Sequence, residues 1–187
     1  MKSRARGIIA AAGAVGSAVT AGVYILFSAK LMPDFRRMSD VSGILKMQQF
    51  NRDAVQPPFM ICFFGGALAG VYLVASAFRG RRTRWDLVAA TGGAFYLLGF
   101  GLTIAYNVPL NDQLAAVNAH DPSAAQLWHD YLNNWTNANS VRAVLSAIGA
   151  ALLIAGAVGL IRGRGQDVDG KQHFVPAPRQ RDLTGSR

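Results

Sequence analysis

Two clusters of residues in this chain have the types and spacing to do chemistry. On a 100°-per-residue wheel Trp128, Tyr131, Trp135, Asn139 and Arg142 fall within about 80° of one another. One stripe of a helix thus carries two indoles, a phenol, an amide and a guanidinium. The second cluster is Asn107-Val108-Pro109-Leu110-Asn111-Asp112, with two carboxamides and a carboxylate. Aromatic rings can form a slot for a flat apolar molecule. Asn107, Asn111, Asn139 and Arg142 can donate hydrogen bonds to negative charge developing on it. A base would have to come from Asp112 or His129, and His129 lies about 100° from Trp128 on the wheel. Arg142 needs a counter-charge or carbonyl partners, and Asp112 and Asp53 are the nearest by topology. The plainer reading is an interfacial belt, where Trp and Tyr collect and Arg snorkels. A belt would spread around the helix, however, and an amide gains little from facing lipid.

The elements that must position these residues are four uncharged stretches at 7–29, 59–78, 87–106 and 143–161, of 19 to 23 residues each. A helix needs ~20 residues to cross a hydrocarbon core ~30 Å thick. A 187-residue globule cannot bury four such helices all round, whereas lipid accepts them with every backbone group paired internally. The fold class is therefore an all-α integral membrane protein, a four-transmembrane-helix bundle spanning residues 1–161. A signal peptide at the N-terminus is disfavoured, because the first stretch exceeds an ordinary h-region and no A-x-A site follows.

Net charge is +9, which alone would suggest nucleic acid, but its distribution argues otherwise. Thirteen of the nineteen basic residues lie at the N-terminus, in the 79–86 connection and beyond residue 161, against four Asp. Basic excess on alternate connections places both termini in the cytoplasm and marks contacts with the lipid bilayer rather than with nucleic acid. Residues 162–187 read as a disordered cytoplasmic tail. Cys62 is the only cysteine and cannot form an internal disulfide. No physical account offers itself for the absence of Glu.

The two outer connections, 30–58 and 107–142, are longer than a bundle needs and should build a helical extracytoplasmic cap. Ser39-Asp40 can cap a helix presenting Val41, Ile44, Leu45 and Gln48 and ending near Asn51, ahead of Pro57-Pro58. Asp121-Pro122 can start a helix that runs on into the fourth span. Pro109 should push Val108 out of helical geometry and leave an irregular segment at the mouth. Gly66-x-x-x-Gly70, Ala18-x-x-x-Gly22 and Ala155-x-x-x-Gly159 allow close helix approach, within the bundle in preference to a homo-oligomer seam.

No His/Cys spacing suits a metal, no cysteine pair serves thiol exchange, and no glycine-rich loop follows a strand. The order and spacing of Met47-Gln48-Gln49-Phe50-Asn51, Asn107-Val108-Pro109-Leu110-Asn111-Asp112 and Trp135-Thr136-x-x-Asn139-x-x-Arg142 resemble the anthrone oxygenase family over about residues 15–160. The resemblance implies a small four-span protein that oxidises anthrones to anthraquinones with O₂, without a recognised metal or flavin. On the residue types themselves, Asn107, Asn111, Asp112, Asn139 and Arg142 are the candidate catalytic groups, and Asn51, Trp128, Tyr131 and Trp135 the candidates to hold the hydrophobic phenolic, anthrone or quinone-like substrate that the resemblance implies. The alternative is a non-enzymatic subunit docking a lipid, a quinone or a larger membrane complex.

Overall fold

Small side chains set how closely the apolar segments approach one another. The computed structural model describes residues 2–79 and 82–172. Helix α1 covers Lys2–Leu26 and α4 Pro57–Ala77, α5 covers Arg84–Leu102, and α7 runs unbroken over Ala124–Gln172. Between them lie α2 (Met32–Phe35), α3 (Asp40–Ala54) and α6 (Val108–Ala115). With its neighbouring turns each long helix is apolar and long enough to cross a membrane. The described residues contain no strand.

The four long helices form a square in which α1 and α5 each pack against both α4 and α7. The short 79–86 connection makes α4 and α5 antiparallel neighbours. Glycine permits this closeness: a Cβ on Gly93 would lie 3.0 Å from the Cα of Gly70, and one on Gly66 would meet the ring of Tyr96. The Gly66/Gly70 pair thus serves packing within the chain, whereas Gly22 faces open space. Lipid provides no hydrophobic force between helices, so dispersion contacts and buried hydrogen bonds hold them. Ser17 Oγ donates to Ser146 O at 2.7 Å, and Tyr96 Oη donates to Phe63 O at 2.9 Å.

The two ends of the square differ. At the end carrying both chain termini the core is mostly alanine and leucine, with Arg6 3.1 Å from Asp86. Asp86 also closes a capping box with Thr83 at the start of α5. At the opposite end α2, α3, α6 and the first turns of α7 form a cap around larger side chains, among them Met32, Phe35, Ile44, Met47, Leu114 and Trp128. Gln48 Nε2 donates to Leu114 O and Val117 O, closing the C-terminus of α6 onto α3. Ser39 caps α3 as expected, but the buried face is Gly43, Ile44 and Met47, and Leu45 is exposed.

The third helix departs from expectation. Val108 keeps helical angles (φ −63°, ψ −50°), and the chain passes through a π-turn at Thr103–Asn107 directly into α6. Proline at 109 cannot donate to the carbonyl four residues back, and its ring would collide with it. The wider turn, in which Val108 N–H bonds Thr103 O, accommodates the ring without ending the helix. The first helix repeats the device, with a π-turn at Phe27–Leu31 ahead of Pro33. At the far connection α7 starts at Ala124, two residues after Pro122. Asp121 Oδ1 accepts from the backbone and hydroxyl of Ser123, which hold this carboxyl below its ordinary pKa. Residues 162–172, expected as part of a tail, continue α7 as helix, and 173–187 lie outside the described residues.

Candidate functional site at the capped end of the bundle

Because α7 is continuous from cap to membrane, the stripe read from the sequence keeps its register. Trp128, Tyr131, Trp135, Asn139 and Arg142 are all buried. The three rings stack along one face, Trp128 on Tyr131 at 5.7 Å and Tyr131 on Trp135 at 6.0 Å. Trp128 presses on α3 where only glycine fits, since a Cβ on Gly43 would lie 2.6 Å from the indole Cζ2. Trp128 and Tyr131 are therefore packed into the cap.

Asn111, on α6, receives both polar atoms of the lower rings. Its Oδ1 accepts from Tyr131 Oη at 2.8 Å and from Trp135 Nε1 at 2.7 Å. These two donors orient the amide and leave its NH₂ for another partner.

Asn107 and Asn139 act on backbone. Asn139 Nδ2 donates to Tyr24 O at 2.7 Å and to Ser28 Oγ at 2.8 Å, clamping α7 to the first helix beside its π-turn. Asn107 Nδ2 donates to Trp135 O at 3.3 Å, clamping the third helix to α7. Both are fully buried, and their donors point to carbonyls of neighbouring helices.

Arg142 sits one turn below Asn139 and is 3 % exposed. Its guanidinium donates to Asn139 Oδ1 at 2.7 Å and to Thr103 Oγ1 at 3.2 Å. It lies over the ring of Tyr24 at 4.2 Å and that of Trp135 at 5.2 Å. Its Nε has no acceptor. No ion pair among the described residues includes Arg142, so neither Asp112 nor Asp53 neutralises it, contrary to expectation. Hydrogen bonding and two π faces take the place of a carboxylate.

Arg142 and Trp135 reach the wall of a cavity of about 470 Å³ that opens at the capped end. Phe27 and Phe50 from the first helix and α3, with Phe59 and Phe63 from α4, contribute aromatic rings to its lining. Asn51, Asn111, Thr103 and Tyr24 add polar groups to the wall, Thr103 and Tyr24 in contact with Arg142, and Asp53 is the carboxylate on it. Of the residues singled out from the sequence, the cavity unites Asn51, Asn111, Trp135 and Arg142. Trp128, Tyr131, Asn107 and Asn139 stand behind it as support. Asp112 is exposed and His129 is exposed, 3.4 Å from Asp40, and neither lines the cavity.

Tyr24 and Thr103 escaped the sequence reading, although each is a polar side chain inside an apolar stretch and so signals an internal partner. The phenylalanines carried no such signal. Asp53 was legible only as a possible counter-charge, because its position on the wall depends on how α3 folds over the bundle. Among the described residues no three His, Cys, Asp or Glu side chains gather as metal ligands would.

The family model described as Anthrone oxygenase matches residues 47–152. That interval contains the second half of α3, all of α4 to α6, and α7 to beyond Arg142. No curated protein and no solved structure matches the chain.

Proposed function

On the premise that the chain belongs to the anthrone oxygenase family, we propose that it is a membrane-embedded oxygenase acting on a flat phenolic, anthrone or quinone-like molecule in the cavity at the capped end. The observation that carries this reading is that one mostly apolar cavity has on its wall both a buried guanidinium, Arg142, and, apart from it, a carboxylate, Asp53. An anthrone of the class the family name denotes loses a proton from its ring methylene to give a delocalised oxyanion. Asp53 is the group placed to take that proton. Arg142, Asn51 and the Asn111 amide are the donors beside which the oxyanion rests. Electrons of the carbanion form pass to O₂ as a carbon–oxygen bond forms, and protonation gives a hydroperoxide. Loss of water from it leaves the second carbonyl, so one anthrone and one O₂ give one quinone and one water.

Support for the substrate class comes from the lining. Phe27, Phe50, Phe59, Phe63 and Trp135 offer ring faces and edges to a planar guest. The volume lies within the ~300–1,000 Å³ range of small-molecule sites. A guest of this kind partitions into lipid, and Phe64, Ile104 and Val108 of the wall are exposed on the surface that lipid covers. We place the cap outside and the termini in the cytoplasm, on the basic excess at the terminal end.

The test is O₂ uptake and quinone formation from an anthrone by detergent-purified protein, beside its Asp53→Asn and Arg142→Gln variants. Turnover above the uncatalysed rate that both variants lose supports the oxygenase. A wild type no faster than buffer overturns it and favours a lipid- or quinone-binding subunit.

A further inference from the structure

Arg142 carries a full positive charge into a segment surrounded by apolar helices, and everything the chain offers it is neutral. Its hydrogen-bond partners are an amide oxygen and a hydroxyl, its guanidinium lies over two rings, and its Nε proton has no acceptor. A buried guanidinium left in that state is costly, because desolvation is offset only where an opposite charge approaches. The ionisable side chains facing the cavity are Tyr24 from the first helix, Asp53 from α3 and Arg142 from α7; α4, α5 and α6 contribute none. Tyr131 stands behind Trp135. Asp53 is exposed and accepts from Gln49 Nε2 at 2.8 Å, so its charge is met by solvent and an amide on its own helix.

We infer that the cavity takes its ligand as an anion, a flat phenolate or enolate whose negative oxygen lies at the Arg142 pole while its rings fill the aromatic part. The inference rests on the proposed site and names the ionisation state of what binds there. A delocalised anion fits better than a carboxylate or phosphate. Those hold water tightly, and the wall beside Arg142 offers too few donors to replace it: Asn51, Asn111, Thr103 and Tyr24. Spreading charge over fused rings lowers that desolvation cost and leaves the ring edges to the phenylalanines. The ligand would arrive neutral from lipid and ionise in place, so the protein selects for acidity and planarity together.

A hydroxyanthraquinone tests this without turnover, because it is already oxidised and changes colour when its hydroxyl ionises. The purified chain is mixed with the dye and titrated in pH, with the dye's O-methyl ether and an anthraquinone carboxylate as companions. The bound dye should ionise about one pH unit or more below the free dye, the size of effect an adjacent opposite charge produces. Arg142→Gln should abolish the shift while binding of the O-methyl ether persists, and Asp53→Asn, which removes a negative charge from the same wall, should lower the dye's pKa further. Because Asp53→Asn leaves the buried cluster intact, it decides the sign even where Arg142→Gln does not fold. An unshifted or raised pKa in wild type, or no binding of the dye, overturns the inference, as does tighter binding of the carboxylate than of the phenolate. A lowered dye pKa without O₂ uptake would sink the oxygenase reading alone, and O₂ uptake with an unshifted dye would sink the anion alone.

Discussion

Arg142 lies over the ring of Tyr24 across the α1–α7 contact, the guanidinium carbon 4.2 Å from the ring centroid, and is 5.2 Å from the ring centroid of Trp135. A planar cation that lies over two rings and donates from its two terminal nitrogens to Thr103 and Asn139 keeps a fixed orientation. The charge at the cavity's pole is therefore set in place before any ligand enters, which is the condition for electrostatic stabilisation without reorganisation.

Arg142→Lys separates geometry from charge. An ammonium cannot reach Thr103 and Asn139 as a fork, nor spread its charge over the rings of Tyr24 and Trp135 as a planar guanidinium does. We expect a folded protein whose turnover falls on the order of 100-fold, the range found when one positioned donor is lost from a site that stabilises an oxyanion. Turnover and thermal unfolding on the same preparation check this; Lys variants as fast as the parent would show that charge alone suffices.

Gly43→Ala tests whether the cap supports the site. Alanine in a helix is favoured over glycine by up to ~1 kcal/mol. Its Cβ, however, would lie 2.6 Å from Trp128, a fully buried side chain with nowhere to move. Overpacking of this kind costs roughly 1–3 kcal/mol, so the clash should win. The expected outcome is a melting temperature lower by a few degrees, at about 2–4 °C per kcal/mol for a chain of this size. An unchanged or raised melting temperature would mean that the indole yields.

Much of this architecture was written in local pattern. Four charge-free stretches dictate four membrane helices, and the 3.6 periodicity placed Trp128 through Arg142 on one face because α7 stays unbroken. The cavity wall was only half legible. Asn107 and Asn139 looked like ligand donors because an amide's type does not reveal which carbonyl it finds. Here those carbonyls belong to Trp135 and Tyr24, on helices whose juxtaposition is a tertiary fact. Phe59 and Phe63 look in sequence like any lipid-facing phenylalanine. The proline at 109 misled for a different reason: its local preference is real, but a π-turn satisfies it without breaking the helix.

Pro109→Ala addresses that turn. Restoring an N–H at 109 gives the Ala105 carbonyl a donor and removes the steric need for the widened turn. If Thr103–Asn107 then relaxes to α-geometry, everything beyond it shifts by one residue, about 100° of rotation. Asn111 would leave Tyr131 Oη and Trp135 Nε1, whose bonds to it are 2.8 Å and 2.7 Å. The expected signature is a change in indole emission with turnover reduced roughly tenfold, a loss of ~1.4 kcal/mol in transition-state stabilisation. A variant with the parent's emission and turnover would show that packing, rather than proline, holds the π-turn.

Ile104→Trp probes the route by which substrate arrives. Ile104 belongs to the cavity wall and is 50 % exposed, with Phe64 at 49 % beside the same opening. A residue that is both wall and surface marks where the cavity meets lipid, and an indole there narrows the passage. A change confined to access or uniform binding raises KM and leaves kcat alone, whereas a change in transition-state contacts lowers kcat. We therefore expect KM for a lipid-partitioned anthrone to rise about tenfold, the scale of one misfitted apolar contact, with kcat within twofold of the parent. An unchanged KM and kcat would place the opening elsewhere, at the solvent rim beside Asp53, and would make the substrate's path aqueous, whereas loss of kcat would mean that position 104 bears on the reaction itself.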